Sequence, residues 1–319
     1  MRREDSTKKF KYKVAAFYNF LSIPDEDIIF IKEELTNLAT NQEIKGTVLF
    51  ASEGVNGTVC GTENAIAIFI YRLMQLLKIS DLNANYSWTE KQAFRRFKAR
   101  KKKEIVTIGL KQINPSKSVG TYVKPSEWNE FLEDPDTIVI DTRNEYEIKI
   151  GNFKGALNPH TSSFREFPAW VRNYLKPLVD DNPSLKIGMY CTGGIRCEKA
   201  TSYLIEEGFN DVHHLEGGIL KYLEDVSPEK TLWDGECFVF DQRVSLDHDL
   251  LPGSHCMCHA CGLPVSPEDV KKTTYIKGLQ CEGCVDRYTD SDRARFAERQ
   301  RQIDEMMERL PENSIWPSS

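Results

Sequence analysis

Apolar residues change their spacing several times along the first hundred positions. Val14-Ala-Ala-Phe-Tyr-Asn-Phe20 is a β-rich run, and Ser22-Ile-Pro-Asp25 supplies a stop followed by a helix start. Ile28, Ile31, Leu35 and Leu38 then recur at helical spacing. Gly46 to Phe50 and Val55 to Cys60 flank a turn-like Ser52-Glu-Gly-Val-Asn-Gly57. Ala65 to Leu77 reads as a second apolar-faced helix, with Ala84 to Trp88 and Ile105 to Leu110 as further strands. The βαββαβ order predicts a ferredoxin-like, acylphosphatase-like α+β sandwich.

From about Gly120 to Asp225 short β runs alternate with helices, which predicts a parallel α/β sheet. Thr137-Ile-Val-Ile140 and Lys186-Ile-Gly-Met-Tyr190 are its clearest strands. Ligands bind beyond the carboxyl ends of such strands, so Asp141 and Cys191 stand where chemistry is expected. After Val226 the chain becomes loop-like and cysteine-rich, then ends in a charged helix from about Ser291 to Leu310. The expected domains are 1–118 (ferredoxin-like), 119–226 (α/β) and 227–319 (a small, separate Cys-rich unit).

A length of 319 residues fits two domains, or three if one is small. Hydrophobic residues at 40% and charged residues at 28% give ordinary globular composition, which excludes disordered and collagen-like classes. The polar opening MRREDSTKKF and the shortness of the longest apolar stretch, Ala65 to Tyr71, predict a chain that neither spans a membrane nor is exported. Nine cysteines, four of them in two C-x-x-C pairs, suggest thiol or metal chemistry in a reducing, cytoplasmic setting rather than a disulfide framework.

The most informative stretch is Ile187-Gly-Met-Tyr-Cys-Thr-Gly-Gly-Ile-Arg-Cys-Glu-Lys-Ala200. A strand delivers Cys191 into a loop with two glycines, followed by a helix. Loop N–H groups, the positive helix end and the Arg196 charge all favour thiolate over thiol. That makes Cys191 the candidate nucleophile, with Thr192, Gly193, Gly194, Ile195 and Arg196 completing the loop. A buried structural cysteine is the competing reading.

This loop resembles the active-site loop of single-domain rhodaneses, with Cys191 in the place of the sulfur-carrying cysteine. Val139-Ile-Asp-Thr-Arg-Asn-Glu-Tyr-Glu147 with Gly151-Asn-Phe-Lys-Gly-Ala-Leu-Asn-Pro159, and His214-Leu-Glu-Gly-Gly-Ile219, are similar to two further rhodanese motifs. Asn152 and Phe153 depart from the histidine and isoleucine that many rhodaneses carry there. Within the resemblance, Asp141 and Arg143 brace the loop by a buried ion pair, and Cys197 packs in the first helical turn rather than resolving a disulfide. Related phosphatases have one residue more between cysteine and arginine, so the shorter loop here suits a terminal sulfur better than a phosphoryl group.

Between Lys91 and Lys103, eight of thirteen residues are Lys or Arg with no acid among them. Arg95, Arg96, Lys98, Arg100, Lys101, Lys102 and Lys103 are the candidate RNA contacts, with Phe94 and Phe97 as candidate stacking groups. The net charge of −6 speaks against a nucleic-acid partner, and a solvated loop with its phenylalanines on the core is the alternative. The whole chain, from Glu53-Gly-Val-Asn-Gly-Thr58 through the Cys191 loop to Ala294-Arg-Phe-Ala-Glu-Arg-Gln300, resembles the rhodanese-related tRNA uridine hydroxylases. The resemblance implies O₂-dependent formation of 5-hydroxyuridine at position 34 of tRNA, a persulfide on Cys191, tRNA bound through its anticodon region, and a persulfide donor protein as a further partner. A thiosulfate-type sulfurtransferase and a non-catalytic binding module are the other classes.

Cys258-His-Ala-Cys261 and Cys281-Glu-Gly-Cys284 lie nineteen residues apart, a zinc-ribbon-like spacing that predicts a closed, structural Zn²⁺ site. Cys256, His255 and His259 crowd the first knuckle and leave the ligand set, a disulfide and free thiols open. The terminal helix carries ten charges in DRARFAERQRQIDEMMER, with Phe296, Ile303 and Met307 on one side, and reads as a surface helix docked by one stripe.

Overall fold

The computed structural model describes residues 10–309, so the polar opening before Phe10 and the expected helix end at Leu310 lie outside the described residues. The first sheet combines β1 (Tyr12–Phe20), β2 (Lys45–Ala51), β3 (Gly54–Gly61), β4 (Asn83–Thr89) and β5 (Phe97–Lys101) in the order β4-β1-β3-β2-β5. Its first four strands are antiparallel and complete the ferredoxin-like βαββαβ pattern with α1 (Asp25–Asn41) and α2 (Glu63–Leu77).

Strand alternation gives this sheet two unlike faces. Ala15, Phe17, Val48, Phe50, Val55 and Val59 point to the helices and join Ile28, Leu35, Phe69 and Leu73 in one buried core. Ala16, Tyr18, Thr47, Leu49, Asn56 and Asn85 point the other way and line a cavity.

Two expectations for this region are corrected. Ile105 to Leu110 is not a strand. Three of its amides go to carboxylates instead of a neighbouring strand: Ile105 N donates to Glu53 Oε1 (2.6 Å), Ile108 N to Glu104 Oε2 (3.1 Å) and Gly109 N to Glu104 Oε1 (3.2 Å). The unforeseen edge strand is β5, inside the basic run and parallel to β2. Along β5, Phe97 and Ala99 face the helical core, with Phe97 edge-on to Phe69 at 5.8 Å, so Phe97 is a packing residue and not a stacking group for RNA.

The second sheet is all parallel, in the order β6 (Thr121–Val123), β10 (Val212–Leu215), β9 (Lys186–Tyr190), β7 (Thr137–Asp141). Helices cover both faces. One core joins Ile140, Ile187 and Met189 to Phe167, Leu175, Ala200 and Leu204. The other joins Val139, Tyr190 and Leu215 to Trp128 of α3 (Pro125–Glu133) and to Ile219 and Tyr222 of α8 (Gly218–Asp225). The remaining helices here are α4 (Glu145–Ile148), α5 (Phe167–Trp170) and α6 (Lys176–Asp181), and α7 (Ile195–Glu206) follows the Cys191 loop.

The chain after Val226 does not leave this domain at once. β11 (Trp233–Gly235) pairs antiparallel with β8 (Gly151–Phe153), and Trp233, Cys237, Val239 and Leu246 enter the same core as Trp128. β12 (Cys237–Phe238) and β13 (Ser245–Leu246) then form a tight hairpin. Cysteine packing begins only beyond it, around β14 (Cys256–Met257), β15 (Pro264–Val265) and α9 (Pro267–Val270). The chain closes in α10 (Asp290–Arg309), where Phe296 docks edge-on to Tyr288 at 5.0 Å.

Candidate active site between two domains

Cys191 follows β9 directly and is wholly buried. Gly194 N donates to its Sγ at 3.1 Å. Burial works to raise the thiol's pKa. The Cys197 side chain, the Arg196 guanidinium and the amides of Cys197 and Arg196 outweigh it and hold the thiol well below its ordinary range. Cys197 sits in the first turn of α7, its Sγ 3.6 Å from Thr142 Oγ1, and burial with the neighbouring Cys191 sulfur pushes its own pKa up.

The loop is clamped from two sides. Ile219 N donates to Cys191 O (2.9 Å) and Leu220 N to Thr192 O (3.1 Å), so the first turn of α8 holds the loop's carbonyls. Gly218 permits this approach: its φ is +67°, and a Cβ there would stand 2.5 Å from Cys191 O. On the other side Gly194, with φ +99°, faces Tyr18 of the first domain, whose Oη a Cβ would meet at 2.7 Å.

Arg196 is less free than its sequence position implies. Its guanidinium forms a two-pronged pair with Glu147 (Nη1–Oε1 2.6 Å, Nη2–Oε2 2.8 Å), so a buried carboxylate offsets part of its field. Asp141 and Arg143 form a second buried pair (Nε–Oδ1 2.9 Å, Nη2–Oδ2 2.6 Å), and Arg143 also donates to Glu147 O and Gly151 O. These two guanidiniums tie the β7 end, α4, β8 and the Cys191 loop into one unit. The other loop residues, Thr192, Gly193 and Ile195, line the cavity.

That cavity has a volume of about 680 Å³. Cys191, Thr192 and Arg196 form one wall, Tyr18, Asn56 and Asn85 of the first sheet another, and Phe240 and Arg243 of the β12–β13 tip a third. Side chains that the sequence did not single out help to fix the first domain in place. Tyr18 Oη donates to Glu198 Oε1 (2.8 Å), Asn85 Nδ2 donates to Gly217 O (3.2 Å), and the buried Lys199 ammonium donates to Glu53, Glu104 and the Val106 carbonyl (2.9, 2.6 and 2.8 Å). Burial holds the Glu198 carboxyl above its ordinary pKa, although Tyr18 and Tyr122 both donate to it. Glu198 and Lys199 carried one available signal, their place directly after the loop cysteines; nothing along the chain marks Tyr18 as their partner.

The UPF0176 acylphosphatase like domain family matches residues 12–105, and the Rhodanese-like domain family matches residues 124–225. Over all 319 residues the chain is 81% identical to the tRNA uridine(34) hydroxylase of Prochlorococcus marinus (strain NATL1A), covering 100% of both chains. It is 54% identical over 302 residues to the protein of that name from strain MIT 9313, covering 95% of this chain and 97% of the other. For the Synechococcus sp. (strain CC9605) protein of that name the identity is 55% over 297 residues, covering 92% and 91%. This chain belongs to the tRNA uridine(34) hydroxylase family.

In this family member the basic run is a strand with its flanks, not a loop. Lys98 and Arg100 alternate with the core-facing Phe97 and Ala99. Arg95, Arg96 and Lys98 line a second cavity of about 530 Å³, which shares Thr47, Phe94, Phe240 and Asp241 with the Cys191 cavity. Arg100, Lys102 and Lys103 are exposed, and Lys101 pairs with Asp25 at 2.8 Å.

Cys258, Cys261, Cys281 and Cys284 bring their four sulfurs within 4.8 Å of one another. The Cys258–Cys284, Cys261–Cys281 and Cys281–Cys284 separations are 3.9, 3.7 and 3.8 Å. A tetrahedron with Zn–S bonds of about 2.3 Å has edges of about 3.8 Å, so the donor set fits zinc. All nine cysteines are free thiols in this structure. Cys256 lies in β14, His255 Nδ1 is 2.7 Å from Glu236 Oε2, and His259 Nδ1 is 3.4 Å from Gln300 Oε1, so none of the three belongs to the cluster.

Proposed function

We propose that this chain hydroxylates uridine 34 of tRNA to 5-hydroxyuridine, one atom of O₂ entering the base and the other leaving as water on two electrons from an external reductant, with Cys191 as the persulfide-forming residue. The observation that carries the reading is the low-pKa thiol of Cys191 on the wall of a cavity closed by a second, basic domain, in a chain 81% identical to a protein named for that reaction. A sulfur added to Cys191 extends it by about 2 Å, within a loop whose amides and Arg196 favour negative charge. A cavity of about 680 Å³ lies in the range that encloses an organic ligand and exceeds what thiosulfate needs, which supports a nucleotide over a small sulfur donor as the guest.

The strand β5 and its flanks supply the phosphate contacts, from Arg95, Arg96, Lys98, Arg100, Lys102 and Lys103. Asp141, Arg143 and Glu147 keep the loop in shape and touch no substrate. The four-cysteine cluster holds a structural Zn²⁺ that folds the C-terminal unit and takes no part in the chemistry. A persulfide donor protein loads Cys191. No helix among the described residues is long and apolar enough to cross a membrane, and a cytoplasmic location follows from the tRNA substrate.

The test is nucleoside mass spectrometry of tRNA from cells whose only such enzyme is this chain. Wild type yields 5-hydroxyuridine and Cys191→Ser yields none. Unchanged modification in the mutant would overturn the assignment of Cys191.

A further inference from the structure

The tip between β12 and β13 holds an apolar ring in an unusual place. Phe240 is 62% exposed, yet it lines both the Cys191 cavity and the adjoining basic one. Its ring lies over the Arg196 guanidinium at 5.9 Å and edge-on to Phe238 at 5.0 Å.

The backbone around it is strongly constrained. Val239 N donates to Val244 O (2.9 Å), Val244 N to Asp241 O (3.1 Å) and Gln242 N to Ala93 O of the first domain (3.1 Å). Arg243 closes on Asp241 through Nε (2.8 Å) and Nη2 (2.6 Å) and donates from Nη1 to Ser87 Oγ at 2.7 Å. Val244 has φ +66°, a conformation that β-branched residues rarely adopt. Strain of this kind persists only where the surroundings over-determine it. What the buried ion pair, the cross-domain bond and the strained valine jointly fix is the position of one ring that stays in water.

The geometry points to Phe240 as the platform on which the substrate base stacks as it enters the cavity. The inference rests on the proposed action on tRNA and adds a residue to it. Arg95, Arg96 and Lys98 line the cavity on one side of the ring and suit a phosphate backbone; Cys191 and Arg196 lie on the other. A base leaving the anticodon stack passes between them, and an aromatic face replaces the stacking it loses. Stacking accepts any base, so Phe240 supplies affinity for an unpaired base and not the choice of uracil.

The test uses the full chain and two anticodon stem-loops that differ only at nucleotide 34, uridine in one and an abasic ribose in the other. Dissociation constants come from fluorescence anisotropy at one salt concentration. Wild type prefers the uridine form by about tenfold, Phe240→Ala binds both forms equally, and Phe240→Trp keeps the preference. An equal loss on both stem-loops, or no loss on either, overturns the inference. Nucleoside analysis reports separately on the parent reading: absence of 5-hydroxyuridine with wild type would remove the hydroxylase assignment while leaving the binding preference measurable.

Discussion

Four buried thiols of this chain differ mainly in what surrounds them. Burial pushes Cys60 and Cys237 up to about 12, and raises Cys197 as well, whereas amides and a guanidinium hold Cys191 down. Peptide mapping after brief treatment with a small alkylating agent at pH 7 is expected to find label on Cys191 well before Cys60 or Cys237. Its rate is expected to be flat near neutrality instead of rising tenfold per pH unit, as a thiol with an ordinary pKa near 8.5 would. His214 is the second informative residue. Its ring is buried 4.3 Å from that of Tyr122, neither nitrogen has a hydrogen-bond partner among the described residues, and burial, with His213 nearby, pulls its pKa down to about 4. The unfolded chain therefore binds a proton between pH 6.5 and 4 that the folded chain refuses, and stability falls as pH falls through that window. His214→Phe is expected to remove a loss of about 3 kcal/mol between pH 7 and 4, read from urea unfolding at each pH. Cys191 was legible because its glycines and arginine are its neighbours in sequence. Tyr18, 180 positions from its partner Glu198, was not.

At the scale of elements, α7 and α8 do most to hold the loop. Gly218→Ala places a methyl 2.5 Å from the Cys191 carbonyl at a φ of +67°, so the clamp at the start of α8 must shift. Displacement of a reacting group by an ångström costs about a hundredfold in rate. The variant is expected to lose hydroxylation on that scale while far-ultraviolet circular dichroism stays unchanged. Lys199 on α7 serves the interface. Lys199→Met leaves Glu53 and Glu104 facing each other without their cation, and is expected to cost about 3 kcal/mol in urea unfolding. The order of elements was readable from period alone in most of the first domain. It failed at β5 because Lys and Arg outnumber the alternating Phe97 and Ala99, and at Ile105 to Leu110 because burial against a second domain selects apolar residues just as a sheet does.

At the scale of the molecule, the proposed function assigns binding and chemistry to different domains. Lys98→Glu with Arg100→Glu is expected to weaken tRNA binding and to flatten the dependence of log Kd on log salt by about two, one for each phosphate that is no longer neutralised. Persulfide loading of Cys191 is expected to be unchanged in that variant. The fold classes of both halves were visible in the chain, since each follows from local spacing and short motifs. The cavity was not, because its walls meet only through side chains far apart in sequence. The face that the first sheet turns toward Cys191 has a further meaning. Tyr18, Asn56 and Asn85 of that sheet stand across the cavity from the Cys191 sulfur. A guest that reaches the thiol therefore meets residues of both domains, and the size and lining of this doorway act on it before any bond changes.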